Sequence, residues 1–447
     1  MKLWQKNTNV SSAVETFTVG NDREMDLLLA PFDVLGSIAH VMMLAEVGLL
    51  TKPEADLLVQ ELRTIYKQIH HSQITIHKSI EDIHSQVEFL LTQKLGDIGK
   101  KIHSARSRND QVLVDIKMFL RNEIRLLVGE IQTLFVVLQE QSEKYKDYLL
   151  PGYTHLQLAM PSSFGLWFGA YAESLVDDTV LLQGAYKVIN KNPLGSAAGY
   201  GSSFPINRTL TTQLLGFDDL NYNVVYAQMG RGKAERTTAM AMANLADTLS
   251  KMSMDMCLYL NQNFDFVSFP AELTTGSSIM PHKKNPDVFE LIRSHCNRIK
   301  ALPNEIMMMT TNLPSGYHRD LQLLKEHLFP AFQTLKQCIQ MACLMLSAIE
   351  IKKDIMVDEK YRYAFSVEEV NKLVLKGVPF RDAYQQVGAA IEMGNFQSDT
   401  KDLHHTHEGS IGNLCNQEIR SMMEQAVHAF HFEKISQSYQ TLLEIKQ

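Results

Sequence analysis

The sequence predicts an all-α protein: three helical domains with a central bundle of long helices, a form that assembles into a multi-subunit helical core. Three observations predict it. Apolar residues recur three or four positions apart over long stretches, no run alternates as a strand would, and no short-period repeat is present. A chain of 447 residues, 45% of them hydrophobic, has enough apolar surface for large cores.

The first long helix is read from Val112 to Leu138. Ile116, Phe119, Leu120, Ile124, Leu127, Ile131, Leu134, Phe135 and Leu138 share one face, and the break falls at Pro151 and Gly152. A second helix runs from about Gly232 to Leu260. It is rich in Ala and Met and apolar on several faces, as suits the centre of a bundle. A third covers Val288 to Ala301, and a fourth about Leu324 to Ile349. Beyond Lys352, Ser366 and Glu369 have the spacing of a capping box. Gly377 is read as a helix stop and Pro379 as a first-turn residue of the next helix. The domain boundaries that follow are 1–108, 109–350 and 351–447.

With 43 basic and 50 acidic residues the formal net charge is -7, which argues against a general nucleic-acid binder but not against a small anionic substrate. Five cysteines, widely spread and without a C-x-x-C pair, suggest neither a zinc knuckle nor a disulfide framework. Inert thiols in a reducing cytoplasm are expected. The start "MKLWQKNTNV" lacks the apolar core of a signal peptide, and no apolar run is read as long enough to span a membrane.

Three stretches do not read as packing. In "SARSRNDQ", Arg106, Arg108, Asn109 and Gln111 crowd donors into one turn at the head of the long helix. Helix N-termini attract anions and guanidinium groups grip carboxylates; equally, Ser107, Asn109 or Asp110 serves as an ordinary cap. In "GYTHLQLAMP", Thr154, His155 and Gln157 follow the Pro-Gly break at the start of another apolar stretch. A histidine titrating at roughly 6.5 suits proton transfer near neutrality, though one at a helix start is also an ordinary polar group. The third stretch, Thr274 to Asp287, is a polar loop. It offers free backbone N–H groups near Ser277 and two oxygen-seeking side chains, Lys283 and Asn285; the alternative is a surface loop without chemistry. "HHTH" (His404, His405, His407) has no carboxylate or thiol at a telling spacing and is read as surface histidines. "GSAAGYGSSF" follows no clear strand and is read as a loop between bundle helices.

Together the three stretches are more specific than any one. "GSSIMPHKKNP" resembles the signature loop of the fumarase/aspartase superfamily, and "RSRNDQ", "YTHLQ" and "GYHRDLQLLKE" resemble its argininosuccinate lyase branch, over nearly the whole chain. "SRNDQ" is the discriminating motif. The resemblance implies that Asn109 and Thr154 bind substrate, with Arg108 and Gln157 beside them in the same motifs. It implies a catalytic His155, a Glu290 that orients a histidine, a catalytic Ser277 on a mobile loop, and Lys283 and Asn285 on the succinyl carboxylates. Tyr317, Arg319, Gln322 and Lys325 fit the pattern that contacts the arginine half and one carboxylate. The implied reaction is elimination of argininosuccinate to arginine and fumarate, with no metal or other cofactor, in a homotetramer whose sites are shared between subunits. Which of Ser277 and His155 is base and which is acid stays open.

The sequence departs from the pattern in places. "FTVGNDREMD" has no clear counterpart of an early substrate-binding serine. Leu158 and Met160 stand where Arg and Gln are usual, "YAQMGRGKAERTT" replaces an acidic-aromatic run, and "HRDLQLLKE" lacks an acidic pair. Two rival readings remain. Another amine-succinate lyase, such as one for adenylosuccinate, would need a phosphate and purine site that "RSRNDQ" does not suggest. A crystallin-like structural relative should have lost part of the constellation, whereas Thr154, His155, Ser277, Lys283 and Asn285 are all present.

Overall fold

The computed structural model describes residues 11–77, 79–398, 403 and 405–444. Helices α1 (Ser12–Val19), α2 (Asp22–Glu46), α3 (Lys52–His70) and α4 (Ile83–Leu95) precede five long ones. These are α5 (Arg108–Lys144), α6 (Phe164–Ile189), α7 (Lys233–Leu260), α8 (Asp287–Met309) and α9 (Leu324–Ser347). The five run alternately up and down. Each packs on the next in the chain and α9 closes on α5, which makes a bundle. One end of the bundle therefore collects the starts of α5, α7 and α9, and the other collects the starts of α6 and α8.

Helix α5 shows why the chain folds this way. Ser107 caps it: its Oγ accepts the Asn109 N–H, and the Asp110 carboxylate accepts the Ser107 N–H at 2.8 Å. Its stripe Leu120, Ile124, Leu127, Ile131, Leu134 and Leu138 is fully buried, each side chain contributing about 1.5–3 kcal/mol by leaving water.

The structure corrects several boundaries. Helix α5 ends at Lys144, and Pro151 and Gly152 lie instead in strand β1 (Leu149–Thr154), paired antiparallel with β2 (Gln157–Ser163). Thr154, His155 and Gln157 thus belong to a hairpin and not to a helix start. A Cβ at Gly152 would lie 2.8 Å from the Met160 carbonyl oxygen, so only glycine fits that approach. Helix α8 continues past Ala301 to Met309 with Pro303 inside it. Ser366 is not a cap, because the chain enters its helix from the 3-10 turn Glu359–Phe365, and Glu369 pairs with Lys372 at 3.0 Å. Gly377 does end that helix, α10 (Ser366–Leu375): its φ is 91° and its N–H reaches the Val374 carbonyl at 2.9 Å. Pro379 stands one residue before α11 (Phe380–Glu392).

Val370, Ala383 and Val387 of α10 and α11 make a small core of their own. Helix α12 (Asn416–His428) returns along α6, where Gln183 Nε2 donates to the Ala429 carbonyl just past its end at 3.1 Å, and α13 (Phe432–Leu443) packs on α2. Helix α2 is, against expectation, long and apolar enough to cross a membrane, but 78% of that stretch is buried inside the protein. Burial on all sides explains its composition. The five cysteines are free, with Cys296 and Cys338 buried.

Candidate active site

At the end of the bundle where α5, α7 and α9 begin lies a cavity of about 250 Å³. Helix α2 supplies Asp22 and Asp26, one turn apart. Glu81, Asp82 and His84 come from the start of α4, and Arg108, Asn109 and Val112 from the start of α5. Arg231 precedes α7; Tyr317, Arg319, Gln322 and Lys325 come from the α8–α9 connection and the first turn of α9. Six of the residues singled out in the sequence, Arg108, Asn109, Tyr317, Arg319, Gln322 and Lys325, are thereby brought together.

The lining alternates acids and cations. Lys325 Nζ is 2.6 Å from Asp22 and 2.5 Å from Asp26. Arg108 reaches Asp82 at 3.1 Å and donates to Ser85 Oγ at 2.6 Å, while Arg319 meets Glu81 at 2.9 Å. Arg231 pairs with the buried Glu235 at 3.0 Å and donates to the Leu321 carbonyl at 2.7 Å. Gln322 Nε2 donates to the Thr18 carbonyl at 3.1 Å, which ties the α9 start to α1. Burial works against the Lys325 charge, but Asp26 and Asp22 outweigh it and hold its pKa above the ordinary lysine value. Asp22 is pushed up to about 6, chiefly by burial and partly by the neighbouring Asp26, with Lys325 opposing. Asp82 is lowered despite its burial, because His84, Arg108 and the Ser85 hydrogen bonds favour the carboxylate.

Arg106 and Gln111 do not line this pocket. Arg106 donates to Ser37 Oγ at 3.0 Å and Gln111 to Asp33 at 3.3 Å, both toward the interior. Asp110 is buried, and its Oδ2 accepts the N–H groups of Gly195 (2.9 Å) and Ala197 (3.0 Å). It so pins the "GSAAGYGSSF" loop to the head of α5.

The other motifs lie at the opposite end of the bundle. His155 and Leu156 form the two-residue turn of the β1–β2 hairpin with φ of 54° and 57°, the pattern of a type I′ turn. Thr154, His155 and Gln157 are exposed there. A non-glycine pair held at positive φ stores strain, and strain of this kind collects at functional sites. The loop carrying Ser277 is clasped at its base, where the Asn285 N–H donates to the Thr275 carbonyl at 2.8 Å and Thr275 Oγ1 bonds to Asp287. Asn285 Nδ2 adds a bond to the Gly276 carbonyl at 3.2 Å. Above the clasp, Ser277 Oγ accepts the backbone N–H groups of Ile279 (3.3 Å) and Met280 (3.2 Å). Lys283 and Glu290 are exposed. Within one chain, no hydrogen bond joins Glu290 to His155 among the described residues.

Thr154, His155, Gln157, Ser277, Lys283, Asn285 and Glu290 therefore stand apart from the pocket. Helix α5, with 37 residues, separates the hairpin from Arg108 by about 55 Å. Helix α7, with 28 residues, separates the Ser277 loop from Arg231 by about 40 Å.

The sequence reading missed Asp22, Asp26, Glu81, Asp82, His84 and Arg231. Two signals were available. "NDREMD" places two acids four apart on one helical face, and "EDIHS" places Asp82 as the cap of α4, accepting the Ser85 N–H at 2.8 Å. Asp22 and Asp26 fall in "FTVGNDREMD", the stretch that has no early serine. Of the histidine run, His405 does have a carboxylate partner, Glu368 at 3.0 Å, and His404 lies outside the described residues. Among the described residues the three-ligand cluster that could hold a cation is Asp33, His84 and Asp115.

Residues 2–301 match the lyase family. The chain is 61% identical over 99% of both sequences to an argininosuccinate lyase of Bacteroides fragilis. It is 36% identical over 86% of its length, and 97% of the relative's, to one of Thermotoga neapolitana. Among solved structures, an EDDS lyase in complex with formate matches with a TM-score of 0.76 at 21% identity, over 98% of this chain and 95% of that one. A class II fumarase of Schistosoma mansoni matches at 0.66 and 16%, over 94% and 96%. These two show the shared fold, and the high-identity relatives place the sequence within it: the chain belongs to the argininosuccinate lyase family.

Proposed function

We propose that the protein catalyses the reversible elimination of L-argininosuccinate to L-arginine and fumarate, as a cytoplasmic homotetramer with active sites shared between subunits. The observation that carries this reading is the pocket of alternating acids and cations around Arg108, Asn109, Tyr317, Gln322 and Lys325. Such a lining suits a zwitterion: acids meet the ammonium and guanidinium groups of the arginine half, and cations meet its carboxylate.

The chemistry needs a proton removed from carbon beside a carboxylate, which places a second negative charge on that carboxylate as an enediolate. Donors aimed at those oxygens supply the largest stabilisation, and Lys283 and Asn285 are of the right type. Ser277 takes the carbon proton. The N–H groups of Ile279 and Met280 that already point at its Oγ support this role, because they would stabilise an alkoxide. His155 handles the proton at the leaving nitrogen, with Glu290 of a neighbouring subunit orienting it. Closure of the loop excludes water and joins base to carboxylate clamp. The roughly 40 Å between one chain's pocket and its own Ser277 loop supports a site completed by other subunits.

The test is to supply purified protein with argininosuccinate and adenylosuccinate separately and follow fumarate by ultraviolet absorbance. Release from the first alone is expected. Release from the second alone, or from neither, would overturn the proposal.

A further inference from the structure

We infer that His84 is a further substrate-binding residue of the pocket, donating a hydrogen bond to the α-carboxylate of the ligand's amino-acid half. The inference rests on the reading that this pocket takes the arginine half. His84 lines the cavity, yet its Nδ1 is turned into the core, 2.7 Å from Asp33 Oδ1 and 3.5 Å from Asp115 Oδ2. Both acids are buried, Asp33 on α2 and Asp115 on α5. With Nδ1 committed to them, Nε2 is the nitrogen left for a ligand.

Of the other cations of the wall, Arg231 spends its head on the buried Glu235 and on the Leu321 carbonyl, and the remaining three differ from His84 in one respect. Lys325, Arg319 and Arg108 each already hold an acid of the same wall, so a ligand carboxylate must compete with Asp22, Asp26, Glu81 or Asp82. The acids that pair with the His84 Nδ1 lie behind it. Its charge is therefore secured from the core, while its pocket edge stays open to an anion. Burial opposes that charge, but Asp33, Asp115 and Asp82 outweigh it and raise the pKa to about 10. An imidazolium donates from both nitrogens, so Nε2 is a donor throughout the neutral range.

The same trio has the donor types of a divalent-cation site, with ligand atoms within 4.8 Å of one another. Charge balance argues against that reading. Asp33 already holds the His84 Nδ1 at hydrogen-bond length, and burial beside Asp33 pushes the Asp115 carboxyl well above the ordinary carboxylate range, toward a neutral form that is a poor cation ligand.

The experiment measures the binding of L-arginine and of agmatine, which is arginine without the α-carboxylate, by calorimetry on the assembled full-length protein. Wild type should bind arginine more tightly than agmatine. His84→Gln should weaken arginine by roughly tenfold to a hundredfold, the loss of one charge-assisted hydrogen bond, and leave agmatine within about threefold. Equal weakening of both ligands, or of neither, would overturn the inference. Asp33→Asn is the second variant, since it leaves the ring in place and removes the carboxylate that holds the Nδ1 proton. The ionisable groups facing His84 are Asp33 of α2, Asp115 of α5, Asp82 beside α4 and His103 before α5, with Arg106 acting on Asp33 and Asp115 from behind. In Asp33→Asn, arginine affinity should fall more steeply than that of wild type as pH rises from about 7 to 8; parallel profiles would overturn the inference. A wild type that releases fumarate but binds arginine and agmatine alike overturns this inference and leaves the proposed reaction standing. One that keeps the difference between the two ligands but releases no fumarate does the reverse.

Discussion

Where Arg108 and Lys325 meet, the chain pairs its own charges: Lys325 between Asp22 and Asp26, Arg319 on Glu81, Arg108 on Asp82. At the far end, Ser277 bonds only to its own loop, Lys283 stands in water and His155 sits at a hairpin tip. The first region is organised by folding; the second is held in outline, and the proposed function has it completed by something outside the chain. Removing a charge from water costs several kcal/mol unless a partner offsets it, so the pocket end couples binding to stability. The loop end carries no such coupling, and this difference can be tested one residue at a time.

The largest effect is expected at Lys325, which is 4% exposed. Lys325→Met leaves Asp22 and Asp26 facing each other without the cation that bridges them. It should destabilise the fold by about 3–5 kcal/mol as well as abolish pocket function, read as paired losses in denaturant midpoint and in arginine binding. A fold as stable as wild type would break the claim that this end depends on charge pairing.

Ser277→Ala should do the opposite, lowering kcat by ~10²-fold or more with the melting temperature unchanged. A drop of several degrees would show that the loop hydroxyl is structural. Lys283→Met should lower kcat/KM by roughly tenfold to a hundredfold, one charge-assisted hydrogen bond, again without loss of stability. Wild-type kinetics in that variant would remove Lys283 from the carboxylate clamp.

How much of this was legible in the sequence depended on which physical signal each part leaves. The bundle was legible because burial imposes helical spacing, as in the Leu120 to Leu138 stripe of α5. The α8 overrun was not, because Pro303 reads as a stop although packing tolerates it inside the helix. The hairpin was hidden because its turn is His155-Leu156 and not Asn-Gly, and because Pro151 and Gly152 interrupt its alternation with a register shift. Arg108 and Asn109 were visible as donors crowded at the head of α5, and Tyr317, Arg319, Gln322 and Lys325 through the family pattern. The pocket's acids were not, since Asp and Glu near helix starts are already explained by caps and the helix dipole. Sequence also could not tell that Arg108 and Asn109 face the cavity while Arg106 and Gln111 turn inward. That depends on where α2 and α4 pack.

Mixing two inactive variants probes the far end more finely. His155 and Ser277 share that end, but a shared end does not mean a shared site. If each site draws its histidine and its serine from different subunits, co-expressed His155→Asn and Ser277→Ala chains should recover activity. Random assembly into a closed symmetric tetramer leaves roughly a quarter of sites with both groups intact. Activity no higher than either variant alone, in verified mixed tetramers, would mean that one chain supplies both.

The smallest effect concerns pH and returns to the pocket end. His84 has a folded pKa of about 10 against an ordinary value of 6.5, because Asp33, Asp115 and Asp82 outweigh its burial. A group whose folded pKa is raised contributes stability that is fully present below the unfolded value. That contribution declines as pH climbs toward the folded one, since over this range the folded state holds a proton that the unfolded state has lost. The window is therefore from about pH 6.5 to about pH 10. The wild-type melting temperature should fall across it by several degrees more than that of His84→Gln, read by calorimetry on both proteins in the same buffers. Deprotonation of other lysines and tyrosines bends both curves alike, so the difference reads His84 together with the buried acids it faces. Lys283→Met, at the end that folding does not organise by charge, should track wild type throughout. If the His84→Gln curve also runs parallel to wild type, the imidazolium adds nothing to the fold, and the contrast between the two ends rests on the Lys325 cluster alone.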